Sequence, residues 1–98
     1  MAANQTDGVE TLTENGAITT KVAVAKGPFN LHVMCAADDE WEAYCSYDGG
    51  ATEALVFSYV GSKKLTPTEG DSLIAAGVVW WVKAAAINTG PFKVRIGQ

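Results

Sequence analysis

Hydrophobic and polar residues alternate with period two along most of this chain, and that period predicts strands. Ile18-Thr19-Thr20-Lys21-Val22-Ala23-Val24 places Ile18, Val22 and Val24 on one face and Lys21 on the other. Gly27-Pro28 breaks the pattern. Phe29 to Cys35 resumes it, with Phe29, Leu31, Val33 and Cys35 inward and His32 on the polar phase. Ala37-Asp38-Asp39-Glu40 reads as a short polar hairpin loop. Trp41 to Tyr47 follows as a strand in which Trp41, Ala43, Cys45 and Tyr47 share a face, and Asp48-Gly49-Gly50 turns it. Ala54 to Val60 is rich in aromatic and β-branched residues, as strands are. Gly61-Ser62-Lys63-Lys64 is its turn. Leu65 to Gly77 is less regular: Pro67, Gly70 and Asp71 suggest a crossing loop with one short helical turn at Ser72 to Ala76. Asn88-Thr89-Gly90-Pro91 leads into Phe92-Lys93-Val94-Arg95-Ile96, another clean alternation read as closing a hairpin.

The run from Val78 to Ile87 stands apart, because it holds one charge in ten residues. As a strand it sends Val78, Trp80, Val82, Ala84 and Ala86 to one face and Val79, Trp81, Lys83, Ala85 and Ile87 to the other. A competing helix capped by Asp71-Ser72 would carry Gly77 in its middle, and the β-branched and aromatic block Val78 to Val82 favours the strand. Both faces are then apolar, and the two tryptophans point in opposite directions. A two-layer domain of this size has little left to cover a second apolar face. The expectation is that one of Trp80 and Trp81 is covered by another chain.

Strands separated by Gly, Pro and Asp turns predict an all-β fold, a single antiparallel β-sandwich or small barrel of about six to eight strands. Ninety-eight residues allow one core. The polar segment 1–15 reads as an extended N-terminal arm and 16–98 as the sandwich domain. Within the arm, Val9 and Leu12 are the apolar positions available for contact.

Charge and composition narrow the partners. Seven basic against eleven acidic residues give a net charge of −4, with no basic stripe in the sequence, so nucleic acid is not an expected partner. No run reaches the roughly 18 apolar residues of a membrane span. The first residues have neither a basic start nor an apolar core, which reads as no secretory signal and a cytoplasmic origin. Cys35 and Cys45 fit neither zinc-ribbon nor redox spacing, and buried thiols are favoured over a cross-strand disulfide.

Candidate chemistry is sparse. His32 is the one histidine, and no nucleophile or second ligand accompanies it, so no catalytic residue is assigned. Asp38, Asp39, Glu40 and Glu42 lack calcium-loop spacing and read as a solvated acidic tip, not a metal site. The glycines lie scattered in turns, with no phosphate loop among them. No cofactor is expected. Trp41 and Tyr47 on one face of their strand, or Tyr44 on the other, could form a platform for sugar rings, since a flat π surface fits the apolar face of a pyranose. That supports a small carbohydrate- or receptor-binding module as the alternative to an assembly protein.

Two resemblances follow from these residues. Ser46, Asp48, Gly50 and Thr52 resemble the Asp-box, a β-hairpin turn of sialidase propellers and other carbohydrate-related proteins, with Glu53 in place of the closing Trp. In that motif the Asp carboxylate holds loop amides and carries no catalysis. The chain as a whole, with its Asp-Gly-Gly turn, its Trp80-Trp81-Val82-Lys83 strand and its Gly90-Pro91-Phe92-Lys93-Val94-Arg95-Ile96 ending, is similar to small virion proteins of tailed bacteriophages, such as head decoration and fibre-like domains. The resemblance implies a non-enzymatic structural protein of the virion, assembled in the host cytoplasm. It implies a homo-oligomer, commonly a trimer, that contacts the major capsid protein or another virion protein. Interface candidates are then Val9, Leu12, Trp80, Trp81, Ala86 and Ile87.

Overall fold

In the computed structural model, which describes residues 9–24, 29–66 and 78–97, the chain is all-β. Its strands are β1 (Glu10–Leu12), β2 (Val22–Val24), β3 (Asn30–Met34), β4 (Glu40–Ser46), β5 (Ala54–Val60), β6 (Lys63–Leu65), β7 (Val78–Ala86) and β8 (Phe92–Gly97). They form two four-stranded antiparallel sheets, ordered β1-β8-β3-β6 and β2-β7-β4-β5, packed as a sandwich. The expected break at Gly27-Pro28, the helical turn at Ser72 to Ala76 and the first eight residues of the expected arm lie outside the described residues.

The period-two pattern builds the core. Phe29, Leu31 and Val33 meet Phe92, Val94 and Ile96 within one sheet, and Trp41, Ala43, Cys45, Trp80, Val82 and Ala84 face them from the other. Trp80 is seated across the layers against Phe29, with ring centroids 5.0 Å apart. Cys35 and Cys45 are both free thiols, one half-buried and one buried, and they belong to opposite layers. Burial raises the pKa of each thiol.

Three expectations are corrected by connectivity. The segment read as an arm contributes β1 from Glu10, and Leu12 lies in the core. Ile18 is exposed and Thr19 takes its buried place, because Thr19 bonds Val82 through both its N–H and its hydroxyl. The segments read as hairpins at 37–40 and 88–91 instead cross from one sheet to the other, since β3 and β4, and likewise β7 and β8, lie in different sheets. Among the described strands, β4–β5 is the one consecutive pair that shares a sheet edge to edge.

Asp39 explains how these crossings are held. It is wholly buried, which corrects the expectation of a solvated acidic tip at this residue, while Asp38 and Glu40 beside it are exposed. Its carboxylate accepts the backbone N–H groups of Ala36, Asn88, Thr89 and Gly90 at 2.8–3.1 Å. Its carbonyl accepts the N–H of Gly61, whose own carbonyl takes the Trp41 indole N–H at 2.8 Å. The crossings β3–β4, β5–β6 and β7–β8 therefore converge on one residue. Burial by itself raises the carboxyl pKa, but the ring of donated amide protons outweighs it and the net shift is downward.

Asp39→Asn keeps the shape but replaces one acceptor oxygen by a donor that faces amide protons. We expect its Tm to fall on the order of 10 °C in thermal melts followed by near-UV circular dichroism.

Candidate functional site

β7 is central in its sheet, and both of its faces are covered within the chain. Trp80 belongs to the main core, and Trp81 is 1% exposed on the opposite face. There Trp81 stacks on Tyr44 at 5.9 Å with planes 15° apart, beside Val79 and Ala23. The Lys21 ammonium caps the stack 4.4 Å from the Trp81 ring, an attraction to the π face that leaves the charge near solvent. Lys21 also donates to the Gly50 carbonyl. The Tyr44 hydroxyl donates to Glu42, which raises the phenol pKa. The expectation that a second chain covers one tryptophan is therefore corrected: both are covered at home. Ala86 and Ile87 are half-buried, Ile87 against the core, and Val9 is exposed.

The proposed sugar platform does not assemble. Trp41 is in the core against Phe57 and Tyr59, Tyr44 lies under the Trp81 stack, and Tyr47 alone is open, at 60% exposure.

The Ser46 to Thr52 turn has a defined geometry. The Asp48 carboxylate accepts the Ser46 hydroxyl at 2.6 Å and the Thr52 N–H at 2.9 Å, while the Gly50 N–H donates back to the Ser46 hydroxyl oxygen. Gly49 and Gly50 both take positive φ, 77° and 102°, where a side chain would strain the backbone. The hydrogen bond from Ser46 is the largest of the effects that lower the Asp48 pKa to about 2. The turn is thus a structural clasp at the end of the β4–β5 hairpin. Among the described residues, no three His, Cys, Asp or Glu side chains group so as to hold a metal ion.

No family model, curated protein or solved structure matches the chain. What remains is the surface itself, which holds two features.

The first is the β5 edge. Among the described strands, three of the four sheet edges are three residues long, β1, β2 and β6, and short edges resist pairing with other chains. The fourth, β5, has seven residues, Ala-Leu-Val-Phe-Ser-Tyr-Val, with no charge and no proline. Leu55 and Val60 are more than half exposed, and Tyr59 is open beside them. Phe57 and Tyr59 stack along this rim at 5.8 Å, with the Lys63 ammonium 4.9 Å from the Tyr59 ring.

The second is the outer face of the other sheet. Register sets His32 beside both Lys64 and Arg95, one strand away on either side. Lys93 lies two residues from Arg95 on the same face. A reading of the linear sequence finds no basic stripe because these residues come from three separate strands. The alternations of Leu31-His32-Val33 and Phe92 to Ile96 do place His32, Lys93 and Arg95 outward, but Lys64, expected in a turn, is on β6, and only strand order makes the four neighbours.

Trp81→Ala should cost about 3–5 kcal/mol in urea unfolding, at any protein concentration, because it empties a site within one chain. Asp39 and Asp48 both have folded pKa values below the usual 3.8. Each therefore stabilises the fold above about pH 4 and loses that contribution as pH falls through its own lowered pKa, which for Asp48 is about 2. The urea midpoint should drop across that interval, and Asp48→Asn should flatten the drop.

Proposed function

We propose that this protein is a non-catalytic structural module that acts by association with further copies of itself, as a component of a tailed-phage particle. The β5 edge is the observation that carries the reading. A long, uncharged, β-branched and aromatic edge is a template for adding a strand. Two copies related by a two-fold axis near Phe57 would join their β5 strands antiparallel and continue the sheet from four strands to eight. That pairing brings Glu53, just before β5, towards the Gly61-to-Lys64 end of the other copy, so opposite charges meet at both ends. Leu55 and Val60 would lose their solvent exposure in the same step.

The virion setting rests on the resemblance of the chain to small decoration and fibre-like proteins. The trimer that the resemblance implies would need β5 to meet a different edge, because a two-fold strand pair closes as a dimer. Light scattering distinguishes these arrangements. The reading expects twice the chain mass at micromolar concentration. The pair Leu55→Lys and Val60→Lys should give a monomer of unchanged Tm, since both side chains point to solvent. A wild-type protein that stays monomeric would sink the self-association. Peptides of this chain in purified phage particles, detected by mass spectrometry, test the setting separately.

A further inference from the structure

We infer that the outer face of the β1-β8-β3-β6 sheet binds an acidic segment of another protein through Lys64, His32, Arg95 and Lys93. The outward positions of this sheet are Thr11 on β1, Asn30, His32 and Met34 on β3, Lys64 on β6, and Lys93 and Arg95 on β8. No carboxylate is among them. Three of the seven Lys and Arg residues of a chain with net charge −4 are thus gathered on one face, with no carboxylate beside them among the described outward positions. Among the described acids, Glu10 of β1 falls on the opposite phase from Thr11 and its carboxylate accepts from Thr20, Glu40 and Glu42 are on the opposite sheet, and Asp38 and Asp39 are at a crossing between sheets.

Geometry favours an extended peptide. Lys64, His32 and Arg95 form a row across three adjacent strands, about 10 Å wide at the usual strand spacing. Arg95 and Lys93 are about 7 Å apart along β8, the interval between alternate side chains of an extended chain. Alternate carboxylates of a strand-like acidic segment match that interval, and the Arg95 guanidinium can take a carboxylate in two-point fashion. The row borders a shallow concavity of about 290 Å³ lined by Val9, Asn30, His32, Met34, Lys64 and Arg95. Val9 and Met34 give the concavity an apolar wall, which suits a peptide stem better than a phosphate chain. Nucleic acid is disfavoured further, because no Phe, Tyr or Trp stands on this face to stack a base. The inference does not depend on whether β5 pairs.

Fluorescence anisotropy with a labelled oligo-glutamate peptide tests it, with oligo-dT and inorganic phosphate run in parallel. Saturable peptide binding is expected, weakening as ionic strength rises to the physiological range. Lys64→Ser combined with Arg95→Ser should weaken it about tenfold, whereas Lys83→Ser on the opposite sheet should leave it unchanged. All four side chains named for the site are at least partly exposed, so equal Tm values verify that the variants fold. No saturable peptide binding, or equal losses in the Lys83 variant, would overturn the site. Tighter binding of oligo-dT or phosphate than of the peptide would overturn the assignment to an acidic protein segment.

Discussion

One buried carboxylate holds the two layers of this sandwich in register. Asp39 collects amide protons from two crossings and offers its carbonyl to a third, so the sheets are joined at one end by hydrogen bonds as well as by packing. An ionised group out of water is costly unless every lone pair is used. Here four backbone donors surround it, and the same donors would themselves be unsatisfied without it. The indole of Trp41, fixed through Gly61, extends the arrangement into the core.

The outer face of β7 shows how a small domain buries more than its two layers suggest. Tyr44 and Val79 flank Trp81 and the Lys21 stem reaches over it, so a third, partial layer is made from side chains alone. Long amphipathic side chains are suited to this, because they cover apolar surface and keep their charge in water. The Trp81 ring is absorbed in this way, and the exposed features that remain include a long backbone edge at β5 and a basic face on the other sheet.

How much of this could be read from residues alone varies from one element to another. Alternation identified Phe29, Leu31, Val33, Phe92, Val94 and Ile96 as core, and the β-branched block marked β7 as a strand with its tryptophans opposed. Those are local consequences of the pleat. Ile18 and Thr19 misled because a side-chain hydroxyl can stand in for a ladder partner, which hydropathy does not register. The run of acids at 38–40 concealed Asp39, since a buried, amide-bound carboxylate has the same letter as a solvated one. Strand order was out of reach: nothing in the linear chain says that His32 will sit between Lys64 and Arg95. The basic face was therefore invisible until the sheets were assembled.

The chain changes sheets at every connection between the described strands except β4–β5. Strand β1 pairs with β8, and β3 pairs with β8 across some sixty intervening residues. Neither sheet is therefore contiguous in sequence, and neither half of the chain can close a sheet by itself. Chain folding must pay loop-closure entropy before most of its ladders exist, which places it with the slow, non-local β proteins that fold in milliseconds to seconds. It also means that β8 must have left the ribosome before the β1-β8-β3-β6 sheet can complete.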